Sequence, residues 1–120
     1  MTDYIYHITS QVSWSAAQLS GTYKADSLAK EGFIHCSKAS QILRVANSYY
    51  LEQQGLVILM IDPALLKPGL RWEPGSDRAD ELFPHIYGPL NLDAVKRIFE
   101  FRPGLDGKFL LPLDFGMISN

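Results

Sequence analysis

Residues 56–61 read Leu-Val-Ile-Leu-Met-Ile, and this run decides the fold. Six apolar residues in succession, without the alternation of a half-exposed strand, are typical of a strand buried on both faces. Gly55 precedes the run and Asp62-Pro63 follows it, so turn-forming residues mark both ends. The sequence therefore predicts a central strand here, followed by a short helical turn over residues 63–66 that Asp62 caps.

Segments on either side of this strand carry patterns of their own. A helical period predicts a helix over residues 40–54, which Gly55 ends. The residues at that spacing are Ile42, Val45, Ala46 and Tyr49. A shorter helix is predicted over residues 14–19, with Ser13 as N-cap and Gly21 as the residue that ends it, and another over residues 26–30. Strands are predicted at residues 4–9, 33–37, 70–73, 84–87 and 94–102, with a last apolar stretch at 109–113. This order indicates an α+β domain.

The composition limits what the chain does. It has 120 residues, 47% hydrophobic and 20% charged, which is enough for a single domain over residues 1–120 with a real core. A net charge of -2 favours neither a nucleic-acid surface nor a membrane surface. The N-terminal residues lack the basic and apolar segments of a signal peptide, and Cys36 has no second cysteine to pair with. We therefore expect a cytoplasmic protein.

All three histidines lie inside short apolar strand segments, where an imidazole needs hydrogen-bond partners. They are His7 in Ile5-Tyr6-His7-Ile8, His35 in Phe33-Ile34-His35-Cys36 and His85 in Pro84-His85-Ile86. Three such residues in a small domain predict a shared polar site on a sheet face. The strand period of two puts Thr9 on the face of His7, so both are candidate ligand-binding residues. The alternative for His7 is a core histidine bonded to a backbone carbonyl.

The second segment places Phe33, His35 and Ser37 on one face, which combines an aromatic ring with two polar groups. Phe33 suits stacking on a flat ligand ring, while the other two suit hydrogen bonding. The alternatives are a core position for Phe33 and, for Ser37, the N-cap of the following turn. Cys36 points to the opposite face and is predicted to be an inert core thiol, covered by the helix that follows residue 40.

The third segment holds His85 and Tyr87 on a backbone that two prolines and a glycine fix, which suits a binding site. The alternative is a turn that holds an aromatic core residue. Arg71 and Glu73 share one face of the preceding strand, where they can pair with each other. The segment 77–81 between these strands is acidic in composition and fits a mobile flap or a solvated loop.

Together these segments resemble a small bacterial family, domain of unknown function 952, over about residues 4–102. The resemblance is carried by Ile5-Tyr6-His7-Ile8, Glu31-Gly32-Phe33-Ile34-His35-Cys36-Ser37 and Phe83-Pro84-His85-Ile86-Tyr87-Gly88-Pro89-Leu90. That family is grouped by similarity with the ADP-ribosyltransferase-like fold. The resemblance therefore implies an α+β fold with a small split mixed β-sheet and a few helices. It also implies a histidine-lined cleft that binds NAD or a related nucleotide, a small-molecule partner.

The wider group implies roles for individual residues. Its first core strand carries a histidine or arginine, matched by His7, and often a hydroxyl after it, matched by Thr9. Its second carries a tyrosine or histidine, and His35 or Ser37 falls near that position. Phe33 then joins these residues as a ligand-binding candidate.

A later strand of the wider group often carries a catalytic glutamate, and there this sequence departs. His85 stands in that segment, and Ile8 replaces a glycine that is common after the first histidine. A transferase of this kind would lack the usual glutamate and take NAD as a substrate. Glu73 is the candidate to stabilise positive charge on the ribose, so His85 and Glu73 are the catalytic candidates and Tyr87 helps to close the cleft.

Two other functions fit the same residues. Three histidines from three strands offer the nitrogen ligands of a zinc enzyme with an open position for water, although the chain has no short metal-binding motif. A noncatalytic interaction domain is the other hypothesis, with Tyr49-Tyr50 as a partner surface. The substrate and the oligomeric state stay open at this point.

Overall fold

A three-stranded antiparallel sheet in the order β1–β4–β8 forms the centre of the protein. The computed structural model describes residues 3–76 and 78–115. Its strands are β1 Ile5–Ser10, β2 Thr22–Tyr23, β3 Ile34–His35, β4 Leu56–Ile61, β5 Gly69–Pro74, β6 Leu82–Tyr87, β7 Leu90–Asn91 and β8 Val95–Phe101. Its α-helices are α1 Gln11–Ser20, α2 Asp26–Glu31 and α3 Ile42–Tyr49. Two 3-10 turns span Pro63–Leu65 and Leu92–Ala94. The described chain is therefore a small α+β fold.

β4 is the central strand that the sequence predicts, and all six of its residues are buried. Its alternate side chains enter two apolar clusters on opposite faces of the sheet. One cluster takes Val57, Leu59 and Ile61 together with residues of α1, β3 and β6. The other takes Leu56, Ile58 and Met60 together with residues of α3 and β8. The prediction of a strand buried on both faces is confirmed.

A second antiparallel sheet has the order β3–β6–β5. It meets the central sheet where Tyr6 of β1 and Ser37, just after β3, exchange two backbone hydrogen bonds of 2.8 Å. A small ladder of β2 and β7 is antiparallel as well. Every strand pairing among the described residues is antiparallel, so the expected mixed sheet is wrong. For β5 and β6 the reason is plain, because a short connection between paired strands permits only an antiparallel arrangement.

Local capping sets where the helices begin and end. The Oγ of Ser10 accepts the Ser13 backbone N–H at 3.0 Å, so Ser10 and not Ser13 is the N-cap of α1, which starts earlier than predicted. Gly21 ends α1 at a φ of +95°, as predicted. α3 has only eight residues, and the predicted span of 40–54 is too long. The chain turns at Glu52, which has a φ of +67°, before it reaches Gly55.

The predicted strands appear with shifted ends. β5 and β6 each span six residues, because they pair continuously from Gly69 opposite Tyr87 to Pro74 opposite Leu82. The apolar stretch at 109–113 forms no strand in the described chain; Phe109 is buried and makes an isolated bridge with Pro103. β2 and β7 have two residues each, too short a pattern for the sequence to indicate.

Cys36 is buried, as predicted, but a different helix covers it. It packs in the cluster that contains Trp14 and Ala17 of α1. The apolar residues Ile42 and Ala46 of α3 belong to the cluster on the other face. The expected cover by the helix after residue 40 is therefore wrong, because α3 packs on the side that Tyr6 occupies. Burial raises the pKa of the Cys36 thiol, which keeps it protonated and unreactive.

The predicted flap over residues 77–81 begins at Asp77, which lies outside the described residues. Its other end, Glu81, is held in place: Gln41 Nε2 donates to its carboxylate at 2.8 Å and Arg44 Nη2 at 2.5 Å. Residues 1 and 2 of the N-terminal segment also lie outside the described part. Across the described residues, no helix combines the length and apolar character that crossing a membrane requires.

Candidate functional site

A cavity of about 620 Å³ lies where the two three-stranded sheets meet. Five of the residues that the sequence puts forward line it: His7, Thr9, His35, Ser37 and His85. Cavities of this volume are typical of small-molecule sites, which commonly measure about 300–1,000 Å³. The lining combines imidazole and hydroxyl groups with apolar side chains, so it offers both hydrogen bonds and contact area to a ligand.

His7 is buried, and both of its ring nitrogens are hydrogen-bonded within the protein. Nδ1 lies 2.6 Å from the carbonyl oxygen of His35, and Nε2 lies 2.8 Å from the Tyr23 hydroxyl. That hydroxyl lies in turn 2.9 Å from Oγ1 of Thr9. His7, Tyr23 and Thr9 thus form a polar chain, and all three line the cavity.

The direction of each bond in the polar chain follows from its acceptor. A carbonyl oxygen only accepts, so Nδ1 of His7 donates to His35. Nε2 of the neutral ring is then an acceptor and receives the hydrogen of the Tyr23 hydroxyl, which leaves Thr9 to donate to Tyr23. Burial lowers the pKa of His7 from 6.5 to about 4, although the bond to the His35 carbonyl works in the opposite sense. Burial raises the pKa of Tyr23 to about 12, so its hydroxyl keeps its hydrogen at neutral pH.

These contacts change the role expected of His7. With both ring nitrogens engaged, a direct bond from His7 to a ribose or a carboxamide requires Tyr23 to move. The geometry matches the alternative that the sequence left open, a buried histidine bonded to a backbone carbonyl. His7 therefore positions Tyr23, whose hydroxyl in turn contacts Thr9 at the cavity wall.

His35 is half-buried beside the cavity. Its Nε2 donates to Oε2 of Glu31, 2.8 Å away at the end of α2. Its ring meets the ring of Phe33 edge-on, with centroids 4.8 Å apart, and that of His85 edge-on at 5.3 Å. His35 and His85 lie directly opposite each other in the pairing of β3 with β6, which explains why both rings lie on one face.

His85 is buried, and Glu73 of the neighbouring strand fixes its ring. Nδ1 of His85 donates to Oε1 of Glu73 at 2.8 Å, and the Tyr87 hydroxyl donates to the same oxygen at 2.5 Å. Phe33 stacks on the imidazole with centroids 4.1 Å apart and an angle of 19° between the planes. Nε2 of His85 makes no hydrogen bond to any residue that the structure describes.

The surroundings of Glu73 favour its ionised form. The hydrogen bond from Tyr87, followed by that from His85, lowers the pKa of Glu73, and the charge of Arg71 contributes in the same direction. Arg71 itself lies over the Tyr87 ring, 4.8 Å from the centroid. Arg71 and Glu73 share a face as predicted, but within the described chain they form no ion pair, because Glu73 is bonded to Tyr87 and His85 instead.

The residues predicted for one site fall into two adjoining groups. Phe33, Glu73 and Tyr87 do not line the cavity; they surround His85 on its other side. His85 is the member shared by both groups. Glu73, put forward to stabilise charge on a ribose directly, therefore reaches the cavity only through His85.

Ser37 and Tyr23 show what the sequence could and could not indicate. Ser37 lines the cavity, and its backbone is bonded to Tyr6. A turn over residues 38–41 follows it, and in the described chain no backbone N–H of that turn donates to the Ser37 hydroxyl, so the N-cap alternative has no support. Tyr23 is a residue of the polar chain that sequence reasoning missed. It lies in the two-residue strand β2, and only the pairing of β2 with β7 brings its hydroxyl to His7.

The histidine geometry bears on the zinc hypothesis. Within residues 3–76 and 78–115, no group of three histidine, cysteine, aspartate or glutamate side chains is placed to hold a metal ion. His7 uses both ring nitrogens inside the protein, and His35 and His85 each give one to a carboxylate. The structure lends this hypothesis no support.

The elements and the cavity define a small α+β domain with separate antiparallel sheets. The chain belongs to the family described as protein of unknown function, DUF952, whose model matches residues 8–98. The predicted resemblance to that family is thereby confirmed. No curated protein matches the chain.

Two solved structures of protein CC0527 from Caulobacter crescentus are similar to this chain. Its X-ray crystal structure is 31% identical, covers 94% of this chain and 98% of its own, and has a TM-score of 0.83. Its solution NMR structure is 30% identical, covers 96% of each chain and has a TM-score of 0.76. Both structures support the α+β fold class.

The buried neutral state of His7 predicts an acid-sensitive fold. As the pH falls from about 6.5 to about 4, the unfolded chain protonates His7 while the folded chain keeps it neutral, so the free energy of unfolding falls. His7→Gln retains a donor and an acceptor but does not titrate. The variant should lose this part of the pH dependence, worth about 3 kcal/mol, in urea unfolding curves measured from pH 4 to pH 7.

His35→Gln is the matched control, because it removes a half-exposed histidine from the same region and leaves His7 in place. Parallel stability profiles for the wild type and His7→Gln would show that His7 titrates alike in both states and would contradict the assignment.

Proposed function

We propose that the cavity binds NAD or a related ribonucleotide, and that His85 transfers a proton there during transfer or hydrolysis of an ADP-ribose-type group. The observation that carries this proposal is the hydrogen bond of 2.8 Å between His85 Nδ1 and Glu73. It fixes an imidazole in the wall of a cavity of about 620 Å³, and its Nε2 is not engaged by any residue that the structure describes. This is the arrangement that general acid–base catalysis needs.

The chemistry of His85 follows from its tautomer. Because Nδ1 donates to the carboxylate of Glu73, Nε2 of the neutral ring holds the lone pair and is able to accept a proton. The stacked Phe33 ring and burial hold the imidazole in one orientation. In this proposal His85 is the catalytic residue, and Glu73 is a positioning residue that stabilises the imidazolium when it forms.

The proposed step is a nucleophilic substitution at C1′ of the ribose. The bond between ribose C1′ and the nicotinamide nitrogen breaks, and nicotinamide leaves with the electron pair. The oxygen of water or of an acceptor hydroxyl bonds to C1′, and its proton passes to Nε2 of His85. Positive charge develops on the ribose, and Asp26 and Glu31 are carboxylates in the described cavity lining that are available to stabilise it.

The polar chain provides the ribose contacts in this proposal. Thr9 donates its hydrogen to Tyr23, so the lone pairs of its Oγ1 are available to a ligand hydroxyl. Ser37 adds a second hydroxyl to the cavity lining. His7 keeps Tyr23 oriented, so the polar chain of His7, Tyr23 and Thr9 is preorganised before a ligand binds.

The proposal extends to the fold and the compartment. Two three-stranded sheets with a cavity at their junction are consistent with the split sheet of the ADP-ribosyltransferase-like fold, although the described pairings are antiparallel. The unpaired Cys36 is consistent with a reducing compartment such as the cytoplasm.

Removal of the Thr9 hydroxyl should weaken nucleotide binding. In calorimetric titrations with NAD and with ADP-ribose, Thr9→Val should raise Kd by about 5- to 150-fold, the equivalent of one buried hydrogen bond of about 1–3 kcal/mol. Thr9→Ser, which keeps the hydroxyl, is the control and should stay near the wild type. No measurable binding of either nucleotide to the wild type would sink the proposal.

Substitution of His85 or Glu73 should lower the rate of the reaction without weakening NAD binding. His85→Gln should lower the rate of nicotinamide release from NAD by about 10²–10⁴-fold and leave Kd for NAD nearly unchanged. Glu73→Gln should lower the same rate while His85 remains in place. The assay follows released nicotinamide by chromatography. Release at the wild-type rate from His85→Gln would refute the catalytic role, as would a wild type that binds NAD and releases none.

A further inference from the structure

β8 forms one edge of the central sheet, with β4 as its neighbour on the inner side. Residues 97–101 pair in register with β4, and Lys96 lies at a bulge of that ladder, between Arg97 opposite Met60 and Val95 opposite Ile61. Within residues 3–76 and 78–115, residues 97–101 make no backbone hydrogen bond outside this ladder, so the outer edge of the strand presents N–H and C=O groups that no described residue pairs with. Such an edge is able to pair with another strand.

The exposed face of β8 is self-complementary in charge. Lys96 and Glu100 are exposed, and Ile98 between them is 38% exposed. When two copies of β8 are placed antiparallel about Ile98, Lys96 lies opposite Glu100 of the second copy, and Glu100 lies opposite its Lys96. The two Ile98 side chains then meet at the centre.

We propose that two copies of this chain associate by antiparallel pairing of β8 about a two-fold axis at Ile98, which joins their central sheets into one. Opposite charges directly across a strand pair stabilise it, and this register gives two such pairs. A slip of the axis to Phe99 sets Lys96 opposite Arg102, which like charges disfavour. The charge pattern thus favours a second copy of the chain as the partner, and it favours one register of pairing.

The other face of β8 is occupied within the chain. Arg97 lies over the Phe99 ring of its own strand, 4.7 Å from the centroid, and forms an ion pair with Asp114. Phe99 is buried against Phe115, so this face adds no contact between copies, and the pairing depends on the backbone edge and on the face of Lys96, Ile98 and Glu100.

One contact within the chain competes for Glu100. Arg102 Nη2 donates to Glu100 Oε2 at 3.1 Å, with the two side chains 74% and 75% exposed. An ion pair this exposed contributes little to stability, so Glu100 can exchange it for Lys96 of a second copy. An interface limited to one strand edge is small, and the dimer should therefore be weak and dependent on concentration.

Cysteine cross-linking tests the register. Under mild oxidation Ile98→Cys should form a covalent dimer, because residues opposite each other lie about 4.5–5.5 Å apart at Cα. Lys96→Cys alone and Glu100→Cys alone should not, since identical positions are then offset by about 13 Å along the strand. An equimolar mixture of these two variants should cross-link. Cys36 is buried, and the wild type controls for it.

Charge exchange tests the interaction without a cross-link. In sedimentation equilibrium, Lys96→Glu and Glu100→Lys should each weaken the dimer at least about tenfold, and the double variant should restore it. Thermal unfolding checks that each variant is folded. A wild type that stays monomeric at all concentrations, a double variant that fails to recover, or equal cross-linking at positions 96 and 98 would overturn the proposal.

Discussion

The imidazole of His7 is hydrogen-bonded to two strands that belong to two other sheets. It lies on β1 of the central sheet, donates to the carbonyl of His35 on β3 and accepts from Tyr23 on β2. Only a neutral ring offers one donor and one acceptor, so the junction requires an uncharged histidine. Loss of this side chain would remove the His7 donor to the buried His35 carbonyl, which costs about 1–3 kcal/mol, and would leave the Tyr23 hydroxyl with its hydrogen bond to Thr9.

The hydrogen bonds of His7 also determine which polar groups line the cavity. The bond to the His35 carbonyl fixes the backbone that carries the His35 ring, and the bond to Tyr23 orients the hydroxyl that Thr9 contacts. A residue that holds the fold together thus also shapes a polar wall. The Glu73–His85 pair is independent of it, because it is built across the β5–β6 hairpin. The two arrangements meet at the cavity, which is why its chemistry combines fixed hydroxyls with an oriented imidazole.

Local sequence patterns predict the structural features that local interactions determine. The apolar run of β4 required burial on both faces, and Gly21 ended α1 as its conformational freedom suggested. The strand period put Thr9 beside His7, and both line the cavity. Glu73 and His85 are also close in sequence, and the hairpin brings their side chains together, because Glu73 lies opposite Phe83, one diagonal step from His85.

The other features of the fold and the site depend on pairing between segments far apart in sequence, which no local sequence pattern indicates. Tyr23 reaches His7 only because a two-residue strand pairs with β7, far along the chain. Cys36 is covered by α1 because β4 divides the core into two clusters, and α3 packs into the other. Periodicity identifies which face of a strand is buried, but not which helix lies on that face. The division of the predicted site into a cavity group and a group around Glu73 has the same origin.

The protonation state of His7 is the most direct test of this account, and long-range ¹H–¹⁵N NMR of the imidazole measures it. At pH 7 we expect a neutral ring with the hydrogen on Nδ1, which stays neutral as the pH is lowered and titrates near its pKa of about 4. A hydrogen on Nε2 would leave nothing to donate to the His35 carbonyl. That result, or titration near the usual value of 6.5, would contradict the claim that a buried neutral His7 holds the sheets together.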